Sequence, residues 1–232
     1  MGTAPTHGFD GFGSDAIGFL AGLESDNSKA YFDANRSVYD EQVRLPLQRL
    51  CVAVGDLLAS GVAPGIDYAP KVGRSMFRIN RDLRFSKDKT PYHPYLDLAW
   101  WEGEHPKTSP AYIMRIRHDE VLTGVGVFAL PKERLERFRA AVLAEAGVEL
   151  EDIIGRVRAS VPSASLSEPS RARVPRGFDP DHPRARFLLH DGVHLSGVEA
   201  TPASITTAAF AGDVAGRLAT YAELHGWLVA NT

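Results

Sequence analysis

The sequence predicts an α+β protein in which helices pack on an antiparallel sheet of at least four strands. Apolar side chains recur at helical spacing in the first third of the chain and again after Pro131. Between them, residues 76–128 form short runs rich in β-branched and aromatic side chains. Helices that flank a run of strands, rather than alternating with them, indicate an antiparallel sheet covered by helices.

The N-terminal third is predicted to be helical. Ile17, Leu20 and Leu23 share one helical face, and a longer apolar stripe comes next at spacings of three and four residues. Pro46 lies inside that stripe, so we expect a kink or short break, because proline has no N–H to donate to the preceding turn. Cys51, the single cysteine, lies in an apolar run and is interpreted as a core residue rather than a redox group.

Four strands are predicted in the middle third, and residues 118–120 are short enough to form a hairpin turn between the last two. The predicted strands are residues 76–81, 95–101, 112–118 and 121–128. Gly124 and Gly126 fit a dinucleotide-binding pattern in letters only, because they lie inside a predicted strand and not at a strand-to-helix turn. We interpret them as positions of close approach by another element.

Helices are predicted again in the last third, the final one over residues 210–228. The proline- and serine-rich residues 161–183 show little periodicity and are predicted to form a long surface loop. The chain beyond this loop is too short for a separate core, so we expect a single domain over residues 1–232.

The net charge of −3 hides an asymmetry. Residues 71–92, called here the cationic segment, contain seven basic and two acidic side chains. The acidic balance of the chain argues against general attraction to nucleic acid, but a local anion site is compatible with it. No stretch approaches the length of a membrane span, and residues 1–10 have neither the basic nor the apolar region of a secretion signal, so we expect a cytoplasmic protein with no membrane contact.

The cationic segment is where we place a candidate ligand-binding site. If residues 76–85 form a strand, alternation puts Phe77, Ile79, Leu83 and Phe85 on one apolar face together with Arg81. A buried arginine needs a carboxylate, carbonyl groups or a bound anion. The candidate ligand-binding residues are Arg78, Arg81, Arg84, Lys87, Lys89 and His93, supported by Asn35, Arg36, Asp82 and Asp88.

Three functions remain open for this segment. The first is binding, with or without turnover, of a small phosphate- or carboxylate-bearing ligand, which a concave pocket would favour. The second is docking of an acidic protein partner, favoured by a flat basic face bordered by aromatics such as Trp100 and Trp101. The third is a weak nucleic-acid contact. Alternatively, the cations pair with the acidic remainder of the chain and bind nothing.

No residue is assigned a catalytic role, and no metal site or cofactor is predicted. His190 and His194 have a helical chelating spacing, but Asp191 and Gly192 between them indicate a turn. Asp179, Asp181 and His182 are interpreted as capping a short helix and not as metal ligands. His93 is the one histidine placed where it could act as an acid or base.

Residues 77–92 resemble the conserved hypothetical proteins of domain of unknown function family 2461. Two more blocks agree with that family in the same order, residues 31–36 and 173–183. Tyr31 stands where tryptophan is usual, and Asn80 stands where an aromatic residue is usual. The resemblance implies one α+β domain over nearly the whole chain, and it implies no particular activity.

Overall fold

The protein is described by a computed structural model over residues 8–232. Its N-terminal part is helical, as predicted, but in shorter pieces. The helices are α1 (Ser14–Ser25), α2 (Lys29–Ala34), α3 (Arg36–Val38), a π-helix (Tyr39–Arg44) and α4 (Leu45–Ser60). Pro46 stands in the first turn of α4. Because proline cannot donate to the preceding turn, the chain changes its helical hydrogen bonding at the expected place.

A five-stranded antiparallel sheet forms the centre of the fold, in the order β1-β2-β3-β5-β4. Its strands are β1 (Leu96–Trp101), β2 (Ala111–Ile116), β3 (Glu120–Val127), β4 (Ser165–Leu166) and β5 (Val193–Ala200). The predicted hairpin turn lies between β2 and β3. The α+β class with an antiparallel sheet is therefore confirmed, although two of the strands come after residue 128.

Residues 76–81 do not form the predicted strand. Isolated bridges join Met76 to Leu98 and Asn80 to Tyr92, so the chain changes its partner within five residues. The Phe77 N–H donates to Asp97 O at 3.2 Å, whereas the His93 N–H donates to Ile79 O at 2.7 Å. A segment that pairs first with the edge of β1 and then with its own returning chain cannot continue either ladder.

The two faces of the sheet differ. One face, the covered face, carries Leu98, Trp100, Tyr112 and Val125 into the main core. That core joins buried side chains on both sides of the 161–183 stretch, from Phe9 to Leu228. The opposite, open face carries the residues that alternate with these, and its smaller apolar cluster consists of Ala99, Trp101, Ala111 and Ile113 with Phe77 and Leu122 packed on it.

Helices from the second half of the chain cover the sheet. They are α5 (Lys132–Leu143), α6 (Ala146–Ser160), α7 (Ala209–Ala219) and α8 (Ala222–Asn231), with short 3₁₀ helices at Ala185–Leu189 and Ala203–Thr206. Both α7 and α8 pack on β3. The single helix predicted over residues 210–228 is thus two helices, which break at Thr220 and Tyr221.

The 161–183 stretch is irregular apart from β4, which pairs with β5. Cys51 is buried in α4, and this burial raises the pKa of its thiol to about 12, so the thiol stays protonated at neutral pH. Among the helices of residues 8–232, none is both long and apolar enough to cross a membrane.

Candidate functional site

Arg81 is largely buried and meets a carboxylate, as its predicted position requires. Its side chain is 21% exposed, and Nη1 donates to Asp88 Oδ2 at 2.5 Å and to Thr90 O at 3.1 Å. The Thr90 backbone N–H and, second, the Arg81 guanidinium lower the pKa of Asp88 to about 2. Arg81 therefore closes its own loop with residues that lie seven and nine positions later.

The remaining cations of this loop are also occupied or point away. Arg84 pairs with Asp82, with Nη2 2.6 Å from Oδ2, and Lys89 donates to Leu83 O at 3.0 Å. Lys87 is exposed and has no side-chain partner within residues 8–232. Phe85 is 95% exposed, and Phe77 and Ile79 pack in different apolar clusters, so the shared apolar face predicted for residues 77–85 is wrong.

Within residues 8–232, Asn35 and Arg36 form no hydrogen bond or ion pair with the cationic segment, which they were expected to support. Asn35 donates to Tyr31 O at 2.9 Å, and Arg36 pairs with Asp33 at 3.0 Å. Both groups are bonded within their own turn of helix. The expected link to the N-terminal helices runs through other residues.

That link is formed by Asn27, Phe32 and Tyr92. The side-chain amide of Asn27 both donates to Tyr92 O at 2.9 Å and accepts from the Tyr92 N–H at 3.0 Å. Phe32 is buried and stacks on the Tyr92 ring with the centroids 4.4 Å apart. These contacts fix the end of the cationic segment, directly before His93.

A cavity of about 460 Å³, the polar cavity, opens between the first half of the cationic segment and the loop after β1. Three of the predicted site residues line it: Arg78, His93 and Asp82, and the Asp82 carboxylate pairs with Arg84. It is lined by Gly73, Arg74, Met76, Phe77, Arg78, Asn80, Asp82, His93, Tyr95, Asp97, His105, Pro106 and Lys107. Its volume is within the usual range of small-molecule sites.

Two cations at this cavity are unpaired. Arg78 and Lys107 are exposed, and neither side chain has an ion-pair or hydrogen-bond partner in the described chain, residues 8–232. Arg74 is partly engaged, because its guanidinium lies 4.8 Å from the centre of Trp101 and 3.3 Å from Asp67. Guanidinium and ammonium groups without internal partners can bind a phosphate or carboxylate group.

In the wall of the cavity, Asp97 and Tyr95 both contact Arg115. Arg115 donates to both carboxylate oxygens of Asp97, at 2.7 and 2.8 Å, and lies 3.6 Å from the centre of the Tyr95 ring. Burial opposes the charged form of Arg115, but the Asp97 carboxylate raises its pKa overall. The His93 ring lies 4.8 Å from that of Tyr95, and burial lowers the pKa of His93. His93 is therefore neutral at pH 7.

Sequence reasoning missed Asp97, Arg115 and Lys107. Asp97 and Arg115 are directly opposed in the β1–β2 register. One charged residue in each of two adjacent, otherwise apolar strands, at matching distance from their hairpin loop, is a signal from which this pair could have been found. Lys107 lies in that loop, where its position relative to Arg78 depends on tertiary packing.

Other predicted features lie elsewhere. Trp100 and Trp101 are fully buried, so they do not border an exposed basic face. His194 is in β5 and His190 precedes it, so the two are not on one helix. In the part of the chain that the structure describes, no group of three or more histidine, cysteine and acidic side chains is placed to hold a metal ion.

Together, these elements define a class of α+β proteins with one helix-covered sheet face and one face open to a cation-lined cavity. The model of the family described as Conserved hypothetical protein (DUF2461) matches residues 15–227. The chain belongs to this family, as the three sequence blocks indicate. A comparison with curated proteins found no match.

Proposed function

We propose that this protein binds a small phosphate- or carboxylate-bearing ligand in the polar cavity. The observation that carries the proposal is the pair of unpaired cations, Arg78 and Lys107, which two separate segments bring to one concave site. The other cations of the loop, Arg81 and Arg84, already have carboxylate partners. The proposed site therefore lies at the first half of the cationic segment, whereas most of the candidate residues from the sequence analysis lie in its second half.

Isothermal titration calorimetry with inorganic phosphate tests this proposal. We expect Arg78→Ala and Lys107→Ala each to weaken phosphate binding by about tenfold or more, because each removes a charge-assisted hydrogen bond. Lys87→Ala is the matched control, since Lys87 is also an exposed, unpaired cation but does not line the cavity. Equal losses in Lys87→Ala and Lys107→Ala would show only general electrostatic attraction, and the proposal would be wrong.

Docking of an acidic protein partner is a second candidate, favoured by Phe85. A phenylalanine that is 95% exposed is unusual, and Arg84, Lys87 and Lys89 surround it in sequence. An aromatic side chain within a basic loop suits an apolar pocket with an acidic rim.

A photo-crosslinking residue at position 85 tests the second candidate, with position 148 as the control because Val148 is also an exposed apolar residue. We expect an acidic protein to be captured at position 85 only and to be displaced by polyglutamate. Phe85→Ser should leave phosphate binding unchanged. If it weakens phosphate binding, the loop belongs to the ligand site.

A further inference from the structure

A second cavity, the apolar slot, lies beside the polar cavity on the open face of the sheet. Its volume is about 130 Å³. Phe77 and Asp97 line both cavities, so the two adjoin at these residues. Ile113 and Leu122 form part of the lining from β2 and β3, and Phe128 lines it beyond the end of β3.

The slot is aromatic and nearly neutral. Phe77 and Phe128 form a tilted pair, with their ring centroids 6.1 Å apart and their planes at 58°, and Phe128 is 43% exposed. The charges of Asp97 and Arg115 cancel through their two hydrogen bonds. His194 also lines the slot, and burial lowers its pKa, so it is neutral at pH 7. A charged ligand group would find no unpaired opposite charge in the slot, whereas an apolar group would cover exposed aromatic surface.

The geometry points to a ligand of two parts: a compact apolar or aromatic group in the slot, joined to an anionic group that reaches Arg78 and Lys107. The slot is similar in size to a cavity of ~150 Å³ that holds one benzene molecule, so it has room for about one ring. Phe77, which borders both cavities, lies at the junction of the two parts. This inference rests on the proposed function, because the anionic group occupies the polar cavity.

Titrations with inorganic phosphate, phenyl phosphate and 2-phenylethyl phosphate test the inference. We expect at least one of the two phenyl-bearing esters to bind at least tenfold more tightly than inorganic phosphate, because its phenyl ring is transferred from water into the apolar slot. Two substitutions on β5 form a matched pair. Ser196 lines the slot, whereas Val198, two residues along the same face, does not.

Ser196→Trp should fill the slot and reduce the binding of both esters to the level of inorganic phosphate, without changing phosphate binding itself. Val198→Trp should change neither. The inference is overturned if the esters bind no more tightly than phosphate, or if Ser196→Trp leaves their advantage intact.

The two proposals can fail separately. If phosphate binds through Arg78 but the esters gain nothing, the proposed function stands and the two-part ligand is wrong. If benzyl alcohol binds as tightly as the esters and Arg78→Ala has no effect, the slot is real but the anion site is wrong. If none of the probes binds, both proposals are wrong.

Discussion

The two faces of one sheet carry different groups. On the covered face, Tyr112 is fully buried and stacks on His225 of α8, with centroids 4.5 Å apart. On the open face, Arg115 of the same strand keeps 37% of its side chain exposed and pairs with Asp97. Alternation along a strand thus separates packing from polar chemistry, residue by residue. Substitutions should affect stability on the first face and ligand binding on the second.

The largest expected effect is on the covered face, at His225. Burial lowers its pKa to about 4, despite the Glu102 carboxylate 3.9 Å from Nδ1. An unfolded histidine has a pKa near 6.5, so the unfolded state binds more protons between roughly pH 6.5 and 4. The free energy of unfolding therefore falls as pH drops through that window, by about 3 kcal/mol from this group.

His225→Phe keeps a ring against Tyr112 and removes the titration. Urea unfolding at several pH values between 7 and 4 should show a smaller loss of stability in the variant than in the parent chain. The carboxylates titrate in both proteins, so the difference isolates His225. Parallel pH curves would show that His225 is protonated equally in the folded and unfolded states.

The next effect is an exception to this division, because Gly126 pairs with Ala111 on the open face and its substitution should still affect stability. A Cβ at Gly126 would lie 2.2 Å from His194 Cβ and 2.4 Å from Val193 O, so Gly126→Ala must separate the strands. We expect a loss of about 1–3 kcal/mol in the free energy of unfolding. Gly155→Ala is the control, because Gly155 is exposed in α6 and a new Cβ there would meet no other atom of residues 8–232 within 4 Å. It should stabilise by up to about 1 kcal/mol.

A smaller effect on stability should distinguish Arg81 from Arg78, which lies three residues earlier. Arg81→Ala removes the bonds to Asp88 and Thr90 and should lower the melting temperature by about 2–4 °C. Arg78→Ala removes an exposed, unpaired side chain and should leave the melting temperature almost unchanged. The pattern should reverse in phosphate titrations. Equal effects of both substitutions in both measurements would contradict the division between the closed loop and the binding site.

Much of the fold follows from local patterns. The helical stripes, the hairpin between β2 and β3 and the break at Pro46 each depend on residues close in sequence. The strand assigned to residues 76–81 failed because its composition suits a strand but its pairing partner changes midway. The break at Tyr221 was missed because the apolar stripe continues across it. Composition and periodicity do not show where a segment changes its pairing partner or where a helix breaks in the folded chain.

Less of the candidate site than of the fold follows from the sequence. The cationic segment, where the sequence analysis places the candidate site, lines the polar cavity through Arg78 and Asp82, and His93 follows it directly. The sequence does not show which cations are already paired, because the Arg81–Asp88 contact depends on how the loop closes. The sequence also does not show that Lys107 lines the cavity, because Lys107 belongs to a different loop. Unpaired charge is a property of the folded chain and not of its composition.

The smallest predicted effect concerns His93, on the open face. Burial lowers its pKa; Asp97 opposes this shift, and the nearby Arg81 and Arg115 add to it. His93 is thus neutral at pH 7 and gains a proton at a pH below the usual histidine value of about 6.5. A bound anion favours the protonated form, so sulfate affinity should rise as the pH falls from 7.5 to 5.5. We expect a gain of about two- to fivefold, the size of a partly exposed ion pair.

Sulfate is the right probe because its own charge stays constant over this range. His93→Gln should flatten the rise, whereas His105→Gln, which removes an exposed histidine from the same cavity, should keep the larger part of it. Calorimetric titrations of the three proteins at four pH values measure this difference. A rise that survives in His93→Gln and disappears in His105→Gln would move the anion away from the Tyr95 wall. It would place the anion beside the loop that carries Lys107.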